Sequence, residues 1–175
     1  NMNFDLAVMA PSALSADAGF TCANVDEYGG HIDFEEAEDS DDPEVMGILC
    51  HLDVVPEGND WDHDPYGADM EDGCIFGRGT LDDKGPLVTC LYAMKILKDM
   101  GVTLNKRVRI ILGTNEETDW NCMAYYLNEV KPELPTIAFS PDSHFPVTYA
   151  EMGLLQYTLT REISENLEIE GGNAF

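Results

Sequence analysis

VMGILCHLDVV, residues 45–55, decides the fold. An apolar run of this length, held between Pro43 and Pro56, suits a strand covered on both faces, the kind found in parallel sheets. Its end is polar: His51 and Asp53 follow the apolar core of the run. Three later stretches repeat the pattern. RVRIILGT (107–114) leads into Asn115, Glu116 and Glu117, PTIAFSPD (135–142) ends on Asp142, and CIFGRG (74–79) leads to Asp82. In open α/β sheets, ligands gather beyond the carboxyl ends of the strands. Four such ends carrying metal-ligand residue types point to one polar edge.

The segments between these runs read as helices. GPLVTCLYAMKILKDMG (85–101) has apolar residues at 87, 88, 91, 94 and 97, a helical period closed by Gly101. DWNCMAYYLNEV (119–130) predicts a second helix, ended by Pro132. Strand, helix, strand, helix, strand is the order of an α/β layered domain with a mostly parallel sheet. Upstream, FTCANVDEYGGHIDFEE (20–36) alternates as a strand, a turn and a strand, and a helix is expected to start near Pro11. EEAEDSDDPE (35–44) has no period and reads as a solvated acidic loop. Downstream, VTYAEMGLLQYTLTREI (147–163) predicts one long strand or two.

Charge narrows the function classes. The chain has 175 residues and a net charge of -25, with 34 acidic against 9 basic residues and no Lys or Arg before Arg78. Phosphate neutralisation needs a basic surface, so nucleic-acid binding is not expected, nor is an anionic membrane surface. No run of about 18 apolar residues appears. The five cysteines are scattered, with no CxxC pair. They read as buried thiols, which fits a reducing, cytoplasmic compartment.

Each candidate residue has a chemical reading and a plainer one. His51 and Asp53, two apart on a strand, face the same side, so Asp53 can hold one ring nitrogen and leave the other for a metal. The plainer reading is a buried histidine satisfied by a carboxylate. Glu116 and Glu117 point opposite ways, so one can ligate a metal while the other accepts a proton from water. The plainer reading is an acidic turn. Asp82, beside Asp83, can be a ligand or a helix-capping acid. Asp142 can be a ligand or an Asx-turn residue.

Taken together, GILCHLDVVPEG (47–58), Trp61 with Pro65 and Tyr66, FGRGTLDDKGP (76–86), YAMKILKDMG (92–101), KRVRIILGTNEETDWNCM (106–123) and FSPDSHFPVTYAEMG (139–153) carry a resemblance. The chain resembles the aminoacylase/carboxypeptidase family of dinuclear zinc peptidases, most closely its PepV-type dipeptidases, almost without gaps over residues 47–153. The resemblance implies a three-layer domain and a reaction in which two zinc ions activate water to hydrolyse a dipeptide, with Mn or Co as possible substitutes. It implies that His51, Asp82, Glu117 and Asp142 are metal ligands. Asp82 would bridge the two ions, and its peptide bond to Asp83 is cis in the family. It implies that Glu116 is the general base and that Asp53 orients His51. The partner implied is a small peptide, and a related deacylase or carboxypeptidase is the alternative on the same fold.

Two departures stand out. Many family members carry Asp before the Glu pair, where this chain has Asn115. The family's second zinc-binding histidine lies near the C-terminus of a much longer chain, and no residue here matches it. His144 is set aside as that ligand, and His31 and His63 are expected to be loop or surface residues. The family also inserts a lid after the AEMG stretch. Residues 1–150 are therefore expected to be part of a catalytic domain, and 151–175 the opening strands of a truncated lid. A truncated remnant that binds metal without catalysing is the remaining alternative.

Overall fold

The computed structural model describes residues 16–25, 29–34, 44–144, 146–153, 155 and 157–160. The helix expected near Pro11, most of the acidic loop and residues 154, 156 and 161–163 of the last predicted strand lie outside them. The chain divides into two units, Asn1–Ser143 and His144–Phe175. In the second unit the described residues are exposed and carry no helix or strand, so the strand expected over 147–163 is not formed among them. Without a partner strand its backbone has no ladder to join. Among the described residues no helix is long and apolar enough to cross a membrane.

The first unit is built on a five-stranded sheet. Its strands are β1 (Thr21–Val25), β2 (Gly29–Phe34), β3 (Val45–His51), β6 (Arg107–Gly113) and β7 (Ile137–Phe139), in the order β1-β2-β6-β3-β7. A separate hairpin pairs β4 (Asp69–Glu71) with β5 (Cys74–Phe76). The deciding stretch is β3, which runs parallel to β6 on one side and to β7 on the other. Helix α1 (Lys84–Asp99) joins β3 to β6. Helix α2 (Asn121–Tyr125), continued by a π-helical turn over Tyr126–Val130, lies between β6 and β7.

The sheet is mixed rather than mostly parallel. β1 with β2 and β2 with β6 are antiparallel pairs. Chain length dictates the first of these: three residues separate Val25 from Gly29, and a parallel crossover needs a dozen or more. At Gly29, with φ +142°, a Cβ would sit 2.3 Å from the carbonyl oxygen of Leu112, so only glycine fits beside β6.

Alternation sorts the sheet's residues to two faces. Ile32, Phe34, Ile48, Cys50, Val108, Ile110 and Leu112 form one core with Leu87, Leu91 and Met94 of α1. Each of these helix side chains contributes roughly 1.5–3 kcal/mol by leaving water. Val88, expected on the same stripe, is exposed. On the neighbouring strand positions sit His31, Asp33 and Arg109, and the Tyr126 hydroxyl meets His31 Nδ1 at 2.9 Å. α1 ends where its glycine signal lies, with Met100 as the last cap residue and Gly101 at φ +67°.

Candidate metal centre

β3 is the strand at which the connections reverse: one crossover returns on its β6 side and the next on its β7 side. Such switch points open a crevice at the strands' carboxyl ends. His51, the last residue of β3, is there and only 3% exposed. Leu52 extends the grip on β6 by donating its N–H to the carbonyl of Gly113 at 2.9 Å.

Four carboxylates gather on this imidazole. His51 Nε2 lies 2.9 Å from Asp82 Oδ1, 3.4 Å from Asp142 Oδ2 and 4.0 Å from Glu116 Oε2. Nδ1 is 3.4 Å from Asp53 Oδ1 and closer, at 3.0 Å, to the backbone carbonyl of Asp53. A carbonyl only accepts, so Nδ1 carries the proton and donates it. Asp53 therefore orients the ring mainly through its main chain.

The Asp53 carboxylate has a second task that residue spacing did not suggest. Its Oδ1 accepts the backbone N–H of Glu116 at 3.1 Å, and its Oδ2 accepts that of Glu117 at 3.0 Å. Burial opposes its charge. The His51 ring and those two N–H groups outweigh burial and hold Asp53 below the usual carboxylate range.

The Asp82–Asp83 peptide bond is cis, as the resemblance implies. Asp82 reaches His51 Nε2 from an exposed position. Asp83 is fully buried and its Oδ2 accepts the backbone N–H of His51 at 3.1 Å. Asp83 stands at the N-cap position of α1, yet its side chain makes no capping bond. The capping alternative is thus replaced by a hold on β3. Burial pushes the Asp83 carboxyl up. Nothing in the sequence distinguished Asp83 from any acid ahead of a helix. Asp82 itself follows the β4–β5 hairpin, so three ends of the main sheet, not four, feed the site.

The donor set fits cations. With Nδ1–H committed to a carbonyl, Nε2 offers a lone pair to an arc of carboxylate oxygens, an arrangement that needs a proton or a metal between them. Burial opposes protonation of His51, but Asp53, then Asp142 and Asp83, overcome it and push the imidazole up to about 9. Burial, then the neighbouring Glu117, Asp142 and Asp53, raise the Glu116 carboxyl against the lowering effect of His51. Among the described residues, every ion pair at the site runs through His51. Two groupings can each offer three ligand atoms within 4.8 Å of one another: His51 with Asp82 and Glu117, and His51 with Glu116 and Asp142. All six sequence candidates thus meet at this one edge.

The other histidines fall elsewhere. His63 lies in the loop before β4, stacked on Phe76 at 4.1 Å between ring centroids. His31, expected on a loop or the surface, instead sits within β2 with its side chain 14% exposed, because the hydroxyl of Tyr126 gives it a partner there.

Comparison with known proteins agrees with this geometry. The chain matches peptidase family M20/M25/M40 over residues 47–165. It is 45% identical over 146 residues to YtjP of Bacillus subtilis, provisionally named a dipeptidase; the match covers 83% of this chain and 30% of that protein. It is 46% identical over 143 residues to a protein of Staphylococcus haemolyticus with the same provisional name, covering 82% and 29%. The chain therefore spans under a third of the length of these curated relatives. In fold it is similar to human carnosine dipeptidase 1, with TM-score 0.56 and 23% identity, covering 68% of this chain and 28% of that one. It is similar also to aminopeptidase PepT of Bacillus cereus, with TM-score 0.56 and 18% identity, covering 77% and 37%.

Proposed function

This chain belongs to peptidase family M20/M25/M40, and from that membership we propose that it supplies most of the metal centre of a two-zinc dipeptidase. The observation that carries the reading is the convergence of Asp82, Asp142 and Glu116 on the Nε2 of His51. In this reading His51, Asp82, Glu117 and Asp142 would hold the metals, Asp82 serving both. Bound zinc supplies Lewis acidity toward water and toward the scissile carbonyl.

The chain's own residues supply placement and proton transfer. Asp53 fixes the tautomer of His51 and clamps the main chain of the Glu pair. Glu116 takes the proton of the attacking water and delivers it to the departing amine. Its raised carboxyl pKa brings it toward the range in which a general base operates. A cytoplasmic enzyme agrees with five cysteines that form no disulfide among the described residues, although only Cys50 and Cys122 are buried as expected, Cys22 and Cys90 being half-buried and Cys74 exposed. The dipeptidase names of the relatives support dipeptides as substrates over acylated amino acids, and residues 151–175 are read as the opening of a lid.

The test is a dipeptide hydrolysis screen on the full-length protein, with and without chelator. Hydrolysis that is lost on chelation and restored by zinc is expected. Glu116→Gln should retain two metals and lose the rate; turnover by that variant would sink the general-base role. Cleavage of acylated amino acids but not dipeptides would favour the deacylase alternative.

A further inference from the structure

The turn that presents Glu116 and Glu117 is closed from behind by one amide. The backbone carbonyl of Asn115 accepts the N–H of Trp120 at 3.1 Å and that of Thr118 at 3.4 Å. Its side-chain Oδ1 accepts the N–H of Cys122, in the first turn of α2, at 2.9 Å. Its Nδ2 donates to Asp119 Oδ1 at 2.6 Å. Asp119 in turn accepts the N–H of Asn121 at 3.1 Å. Cys122 is fully buried, so this end of α2 is fixed to the body of the protein. Asp53 grips the same turn from the sheet side, through the N–H groups of Glu116 and Glu117.

We propose that Asn115 is a positioning residue for the Glu pair, and that it works because it is an amide facing Asp119. The position must accept one hydrogen bond and donate another. Only a side chain with both functions on one planar group satisfies Cys122 and Asp119 together. An aspartate there keeps the acceptor for Cys122 but sets an anionic oxygen against Asp119 at the 2.6 Å now bridged by a donor. The turn must then open, and Glu116 and Glu117 ride on it. Exchanging the two residues restores a donor and an acceptor across the same gap.

This inference rests on the reading of Glu116 and Glu117 as base and ligand. Its test measures kcat, KM and zinc content in the full-length, zinc-loaded protein for N115D, D119N and the exchange variant N115D/D119N, with E116Q alongside. N115D should lower kcat about 10–100-fold at nearly constant KM, the scale at which misplaced groups around a site act. The exchange should recover most of that loss. N115D with wild-type kcat overturns the proposal, as does an exchange variant no better than N115D. If N115D does not fold, the exchange variant decides: kcat within about tenfold of wild type supports the role, and a larger loss removes it. E116Q separates the two readings. Hydrolysis by E116Q overturns the base assignment, whereas an inactive E116Q beside a fully active N115D removes only the role of Asn115.

Discussion

The chain carries the same H-x-D spacing twice on buried strands, as His31–Ile32–Asp33 on β2 and His51–Leu52–Asp53 at the end of β3. The two histidines have opposite fates. Burial lowers the pKa of His31 and the nearby Arg109 lowers it further, against the pull of Asp33. His51 is pushed up to about 9, because the acids around it outweigh burial. The difference lies in what answers the aspartate. Arg109, directly across the strand pair, donates Nε and Nη2 to the two oxygens of Asp33 at 2.7 Å each. Asp53 is answered by two backbone N–H groups and Asp83 by the N–H of His51. Among the described residues the ion pairs of Asp82, Asp142 and Glu116 run to the His51 ring, with the half-buried Lys84 beside Asp53 and Asp82. One H-x-D is electrically closed within the protein. The other is left open for a cation.

The strongest way to break this contrast is to remove each histidine in turn from the full-length protein. His51→Ala should abolish zinc retention and cut kcat/KM by well over about 100-fold, more than losing a supporting group costs. His31→Gln should change kcat/KM by less than about threefold, as expected of a residue outside the site. Zinc lost on changing His31, measured by metal analysis, would erase the distinction.

Next in size is the closure of Asp33. Arg109→Leu leaves a buried carboxylate without its partner and should cost about 3–5 kcal/mol in urea unfolding. The exposed pair of Arg107 with Glu133, also 2.7 Å apart, offers the matched control, and Glu133→Gln should cost no more than about 1 kcal/mol. Equal losses would mean that burial does not separate the pairs.

Asp53→Asn sharpens the role of the open aspartate. It retains one acceptor for two N–H groups and should cost about 10–100-fold in kcat/KM, with His51 still present. Activity at the wild-type level would show that the main-chain grip on the Glu pair is dispensable.

The smallest effect is the pH response of His31. A histidine whose folded pKa lies below its unfolded value of 6.5 binds its proton more readily in the unfolded chain. Stability should therefore be full above 6.5 and fall as pH drops through 6.5 toward the folded value. The dependence should flatten in His31→Gln, compared by denaturant midpoints between pH 5 and 7. A slope unchanged by that substitution would assign it to other groups.

The elements around the deciding stretch were legible because their signals are local. β3 is a continuous apolar run, α1 has a 3.6-residue stripe and a glycine stop, and β6 repeats the character of β3. The antiparallel half of the sheet was legible as a hairpin but not as part of the same sheet. Nothing in FTCANVDEYGGHIDFEE states that Gly30–Phe34 will pair with Val108–Leu112. The candidate site was legible as six residues of three ligand types at chain positions where loops follow strands. Its internal wiring was not, since Asp83 on the His51 N–H, Asp53 on the Glu pair and Asn115 on Cys122 are contacts between residues whose local patterns have no relation to each other.

By itself the sequence determined the α/β order, the polar ends of the apolar runs and an acid excess that rules for cations over phosphates. Those properties follow from composition and period, which each segment holds alone. Only the tertiary structure decided which H-x-D is open. That outcome depends on whether an arginine or more carboxylates stand across from it, and the partner comes from 76 residues away for Asp33 and from 31 to 91 residues away along the chain for His51. Electrostatic closure is a property of neighbours in space, and the fold alone chooses those neighbours.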